Sequence, residues 1–145
     1  MLIIEHCVET AARPETVWAL YQDVSAWPLW DKEVEYAKLL GPFALGTKGK
    51  LKPVGGPEVP FEITHLEPFK IFSDTSYVPL GTLMFMHTLK KQANGKTEIC
   101  HKVEIKGFLK YFWAFVIGRN IKKGLPHAMQ SLAALAEKKE ANERK

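Results

Sequence analysis

Apolar and polar positions alternate over residues 2–9, with Leu2, Ile4, His6 and Val8 on one face and Glu5, Cys7 and Glu9 on the other. A period of two belongs to a strand with one buried and one wet side, so this segment is read as the first strand. The period changes over AARPETVWALYQD. Pro14 suits the first turn of a helix, Glu15 lies near the positive end of its dipole, and Val17, Trp18, Leu20 and Tyr21 supply a buried side. DVSAWPLWD then predicts a second short helix or turn, interrupted around Trp27 by Pro28.

Strand patterning resumes at 33–39 and, after the GPFALG loop, at 47–53. There Lys48, Lys50 and Lys52 mark a solvated face, while Gly49 and Pro53 favour an edge or bulged position. Beyond GGPEVP, Phe61, Ile63 and His65 share one face of another strand, which Pro68 ends; residues 70–76 form a fifth.

The last two strands form a hairpin whose register follows from parity. Leu83, Phe85, His87 and Leu89 face one way, and Thr97, Ile99, His101, Val103 and Ile105 form the matching row. Opposed residues of an antiparallel pair share a face, so their numbers must add to an even total. A two-residue Asn94-Gly95 turn violates that rule and would set apolar positions against Lys102 and Glu104. A three-residue Ala93-Asn94-Gly95 loop, with Gly95 left-handed, satisfies it and puts His87 opposite His101.

After Gly107 the alternation stops. Phe108, Phe112, Phe115, Ile121, Leu125, Met129, Leu132 and Leu135 or Ala136 predict a stripe along a long amphipathic helix, with a bend or break near 124–126 where Gly124 and Pro126 fall. Phe108 to Ile117 is apolar nearly all round, so part of it must meet the sheet, a ligand mouth, another subunit or a membrane surface. Arg119, Lys122 and Lys123 follow, which makes peripheral membrane contact and a homodimer the competing uses of that surface.

Composition adds boundaries rather than direction. The 145 residues fit one domain, and a 46% hydrophobic, 25% charged chain has the makings of a globular core. The net charge of +4 comes from short lysine groups, with no basic stripe interleaved with aromatics, so nucleic acid is not an expected partner. No apolar run reaches the roughly 20 residues of a transmembrane helix, and MLIIEHCVET does not look like a signal peptide. Cys7 and Cys100 lack metal or redox spacing, so reduced thiols and a cytoplasmic location are expected. No cofactor and no metal is expected, since the chain carries no phosphate-binding glycine loop, nucleophile elbow or zinc motif.

Pro14-Glu15-Thr16-Val17-Trp18, Asp23-Val24, Trp27-Pro28-Leu29-Trp30, Gly41-Pro42-Phe43, Gly46-Thr47, Gly95-Lys96-Thr97 and Val103-Glu104-Ile105-Lys106-Gly107 punctuate an order of strand, two short helices, six strands and a long helix. That order resembles the START-like or Bet v 1-like (SRPBCC) helix-grip superfamily. It is similar, over almost the whole chain, to the polyketide cyclase/dehydrase and lipid-transport branch. The resemblance implies an α+β helix-grip fold, a seven-stranded curved antiparallel sheet wrapped around the C-terminal helix with two short helices after the first strand. It makes residues 1–145 one START-like domain, and the charged run EKKEANERK makes 138–145 a frayed, solvated helix end.

The resemblance also implies an internal apolar cavity. The expected function is binding or transport of a small hydrophobic or aromatic metabolite there; the alternative is a polyketide cyclase- or dehydratase-like enzyme using polar cavity residues for acid/base chemistry, and a filled interior serving protein interaction is a third. Candidate ligand contacts on the sheet are Phe61, Ile63, His65, Leu83 and Phe85, then Ile99 and Val103. Phe115, Leu125 and Met129 are the candidates on the helix, with polar contacts from His87, His101, Arg119 or Tyr77. His6, His65, His87 and His101 all occupy apolar strand phases, which suits cavity walls, one acid/base contact or, less readily, a metal. Glu62, Glu98 and Glu104 fall in polar phases and are read as surface groups, while Asp74, Tyr77, Tyr36 and Arg119 are left open. No residue is identifiable as catalytic.

Overall fold

In the computed structural model, which describes residues 2–144, the two periods resolve into one antiparallel sheet and helices packed on its inner face. The strands are β1 (Leu2–Thr10), β2 (Val34–Leu39), β3 (Lys48–Pro53), β4 (Val59–Glu67), β5 (Ile71–Val78), β6 (Gly81–Lys91) and β7 (Thr97–Lys106), in the order β1-β7-β6-β5-β4-β3-β2. Helix α1 (Pro14–Gln22) and a 3₁₀ turn over Val24–Leu29 follow β1. A short α2 (Lys110–Trp113) leads through a π-helical stretch, Ala114–Gly118, into α3 (Arg119–Glu143). This is the seven-stranded helix-grip arrangement expected from the sequence.

The hairpin register is the one parity demands. His87 pairs with His101 and Lys91 with Thr97; the Gln92 N–H donates to the Lys96 carbonyl (2.8 Å), closing the loop Ala93-Asn94-Gly95 with Gly95 at φ +85°. Two strand expectations change. A bulge between Ile63 and His65 shifts the register of β4, turning His65 outward, where Nε2 lies 3.0 Å from Glu67, and Leu66 inward. β3 is an interior strand, not an edge. Gly49 serves close packing there: a Cβ would lie 2.5 Å from the Lys38 carbonyl and 2.6 Å from the Phe61 ring.

The expectation of reduced thiols is overturned. Cys7 opposes Cys100 on the outer face, and the two form a disulfide between β1 and β7. Glu104 is also on that outer face, but it is buried between Lys102 and Lys106 rather than exposed.

On the inner face, α1 buries Val17, Trp18 and Tyr21, and α3 buries Met129, Leu132 and Ala136. Trp18, expected on the buried side of the first helix, packs edge-on against Phe43 and Phe72. α3 runs through Pro126 without the break expected near 124–126; the irregularity falls earlier, in the π-helical stretch. The predicted stripe fails at its start, where Phe108, Phe112 and Phe115 are exposed and Trp113, Ala114 and Ile117 turn inward. Phe115 and Ile121 are six residues apart, which places them about 120° apart around a helix.

The expected frayed end extends to Lys145, which lies outside the described residues. Within them α3 continues to Glu143, and Glu140 is buried rather than solvated, accepting hydrogen bonds from the Arg13 N–H and Thr16 Oγ1. No helix among the described residues is long and apolar enough to cross a membrane.

Candidate ligand site

Antiparallel register aligns two inner-face rows across the sheet. One runs Leu66, Phe72, His87, His101, His6, and its neighbour runs Ile63, Asp74, Phe85, Val103, Ile4. α1 lowers Tyr21 onto the first row, where its hydroxyl lies 2.8 Å from His101 Nε2. His87 stacks on Phe72 at 4.0 Å between centroids and meets His101 edge-on at 4.5 Å. Its Nδ1 lies 3.2 Å from the Phe72 carbonyl. A carbonyl accepts only, so Nδ1 carries the proton and Nε2 is left as an acceptor.

Burial sets the protonation of these groups. It lowers the His87 pKa to about 3 against the opposing pull of the Phe72 carbonyl. Burial, followed by the His87 and His6 charges, drives His101 well below its ordinary value, and burial raises the Tyr21 hydroxyl well above its own. Both buried imidazoles are therefore neutral at pH 7.

Asp74 is the most informative residue of the second row. It is 5% exposed between Ile63 and Phe85, and burial, with no opposing cation or hydrogen bond, pushes its carboxyl up to about 8. At neutral pH it is mostly a protonated acid, able to donate as well as accept.

These polar side chains form a seam between two apolar clusters. One gathers Tyr21, Trp27, Trp30, Phe61, Phe72 and Met129 under α1 and the C-terminal half of α3; the other gathers Leu83, Val103 and Ile105 with Trp113, Ile117 and Ile121. Phe85 and Ile4, in the Asp74 row, keep partial exposure although they face inward. Across the seam Trp30 packs against Tyr21 and His101, and its Nε1–H is buried without a partner. A separate open cleft of about 230 Å³, lined by Asp31, Lys32, Glu33, Lys123, Gly124, His127 and Ala128, shares no residue with the seam.

The structure thus divides the expected contacts. Phe61, Ile63, Leu83, Phe85, His87, Ile99, His101, Val103 and Met129 face inward, with Leu125 packed at the margin of the first cluster. Four do not. His65 is turned out by the bulge; Tyr77 is on the outer face, donating to Glu62; Phe115 and Arg119 are on the exposed side of the helix. Among the described residues no three His, Cys, Asp or Glu side chains are grouped so as to hold a metal ion.

Tyr21 was legible only as a packing residue, because nothing local shows that α1 sets it against His101, and the place of Trp30 beside them depends on how the 3₁₀ turn packs. Asp74 carried a signal: it shares parity with Phe72 and Ser76, an acid in phase with a buried row.

A family model described as polyketide cyclase/dehydrase and lipid transport matches residues 1–137. Similar solved structures include a protein from Chromobacterium violaceum, 20% identical, with TM-score 0.68 and coverage of 93% of this chain and 96% of the other. The Zhui aromatase/cyclase from Streptomyces sp. R1128 is 13% identical, with TM-score 0.76 and coverage of 94% and 93%. Norcoclaurine synthase from Thalictrum flavum, in complex with dopamine and hydroxybenzaldehyde, is 17% identical, with TM-score 0.71 and coverage of 94% and 87%. No curated protein matches the chain.

Proposed function

The chain belongs to the polyketide cyclase/dehydrase and lipid-transport family, and from that premise we propose that it binds a small hydrophobic or aromatic metabolite on the inner face of the sheet. The ligand's apolar body lies along Phe85, Val103 and Ile121, and its polar group meets Asp74. The observation that carries this reading is Asp74 itself, a buried acid with no partner among the described residues, between two apolar clusters. Burying such a group unpaired costs about 1–3 kcal/mol, a cost that a ligand hydroxyl or carbonyl would offset. The unpartnered Trp30 Nε1–H is a second polar contact within the same interior.

Titration with a panel of phenols, aromatic ketones and aromatic acids, followed by calorimetry, tests the reading. Asp74→Leu should weaken hydroxyl- or carbonyl-bearing ligands by about tenfold, the worth of one buried hydrogen bond, while leaving their unsubstituted hydrocarbon analogues unaffected. Equal affinities in both proteins would remove Asp74 from the site.

The second reading is cyclase- or dehydratase-like turnover, favoured by the 2.8 Å contact between the Tyr21 hydroxyl and His101 Nε2. A neutral imidazole held against a phenol is a proton acceptor and donor pair. Turnover that survived Tyr21→Phe and His101→Gln alike would reject it. As to location, the Cys7–Cys100 disulfide argues for an oxidising compartment and against the cytoplasm.

A further inference from the structure

The apolar start of the C-terminal helix is two-faced. Trp113, Ala114 and Ile117 pack inward beside Leu83, Val103 and Ile105. Phe108 is 86% exposed, Tyr111 70%, Phe112 51%, Phe115 67% and Val116 44%. Phe112, Phe115, Val116, Arg119, Lys122 and Lys123 recur at helical spacing, so one exposed face is aromatic at its start and cationic at its end.

The fold extends the aromatic end. At the β5–β6 turn Leu80 is held at φ +55° and is 64% exposed. Trp113 Nε1 donates to the Pro79 carbonyl (2.8 Å) and the Leu109 N–H to the Leu80 carbonyl (3.0 Å), which fixes that turn beside Phe108. Gly107, at φ +114°, permits the crossing, since a Cβ there would lie 2.5 Å from the Leu80 carbonyl.

Charge follows the same surface. From Ile105 through Ala136 the sequence has no Asp or Glu, while it carries Lys106, Lys110, Arg119, Lys122 and Lys123. Lys110 lies over the Tyr111 ring and Arg119 over the Phe115 ring, each at 5.3 Å. Among the described residues, Lys110, Arg119, Lys122 and Lys123 enter no ion pair.

We propose that the outer face of residues 108–123, together with Leu80, docks on the surface of an anionic lipid bilayer. Phe108, Phe112 and Phe115 enter the boundary between headgroups and acyl chains, and Arg119, Lys122 and Lys123 lie against the anionic headgroups. Amphipathic helices with aromatic residues on one side and nearby cations bind in this way, by apolar burial plus attraction to negative lipids. A symmetric dimer through this face fits the charges poorly. Its two copies would oppose faces to which residues 108–123 contribute cations and no acid, with Asp31 and Glu33 lying beside Lys123 only at the cationic end. Docking does not require a ligand on the inner face, so it stands or falls separately from the proposed function.

The test is sedimentation of the intact protein with phosphatidylcholine vesicles, with and without phosphatidylglycerol, at low and moderate salt. Association is expected with the anionic vesicles at low salt, and it should weaken about tenfold or more at moderate salt or on neutral vesicles. Phe112→Ser with Phe115→Ser, and separately Lys122→Glu with Lys123→Glu, should each reduce it by about tenfold or more. All four side chains are exposed, so circular dichroism should remain unchanged. Absence of binding to anionic vesicles at low salt would overturn the proposal, as would binding that neither pair of substitutions alters. A lipid-free dimer that Phe112→Ser with Phe115→Ser converts to monomer would also overturn it, by assigning the face to a second copy.

Discussion

Asp74 and His87 sit in adjacent inner rows, and burial moves them in opposite directions. Asp74 titrates at about 8 in the folded chain, against roughly 4 when unfolded. Between those values the folded state keeps a proton that the unfolded state has released, so stability falls as pH rises. His87 titrates at about 3 when folded, against about 6.5 unfolded. The unfolded chain binds the extra proton in that interval, so stability is lost as pH falls, and His101, lowered for the same reason, adds to the loss. From these three groups stability should peak near pH ~6.5. Urea unfolding across pH should show Asp74→Asn gaining on the natural protein by on the order of 1 kcal/mol per pH unit through the Asp74 interval. A difference independent of pH would mean that Asp74 is not a buried acid. Tyr21→Phe, which leaves His101 Nε2 without its 2.8 Å partner, should cost about 1 kcal/mol.

Two attachments hold the elements that bound the inner face. The Glu140 carboxyl ties the end of α3 to α1. Burial pushes its pKa up, but hydrogen bonds from Thr16 and the Arg13 N–H, with the Arg13 and Arg144 charges, outweigh burial and hold it below the usual range. Glu140→Ala should therefore destabilise by about 2 kcal/mol, since it strands two donors, and amide exchange should quicken at the start of α1 and the last turns of α3. No quickening there would show that the carboxylate is not the tie.

The second attachment is the disulfide joining β1 to β7. It spans 93 residues of sequence, for which chain entropy allows a contribution of up to about 4.6 kcal/mol. Alkylation of the denatured chain should find no free thiol before reduction and both afterwards; two thiols before reduction would remove the bond. The sequence held half of this result. Hairpin parity set His87 against His101, and β1 pairing extends the row to His6, which brings Cys7 opposite Cys100 one position along. That step needs the register between distant strands, which Cys spacing does not supply. The β4 bulge was illegible for a related reason: alternation reads on through Thr64 and His65, and only the partner strand reveals the extra residue. The long helix was visible, but its aromatic start was assigned to the buried stripe across a six-residue gap that no helical period spans.

For the whole molecule, the sheet's curl around α3 turns scattered in-phase polar residues into a connected seam. The order of elements and their alternation were enough to predict the helix grip and the inward direction of His87 and His101. They were not enough to predict that Tyr21 and Trp30, from the far side of the interior, would close over them, because that contact depends on how α1 and the 3₁₀ turn pack. The same packing fills the α1 side with aromatic rings and leaves Phe85, beside Asp74, and Ile4, three strands along the same row, partly exposed. Native mass spectrometry of protein purified without organic solvent, before and after exposure to small aromatic metabolites, bears directly on whether that region holds a ligand. A non-covalent adduct should appear on the natural protein and be lost when Phe85→Trp fills the space beside Asp74. Only the bare mass throughout, or an adduct that Phe85→Trp leaves undiminished, would contradict an inner-face site.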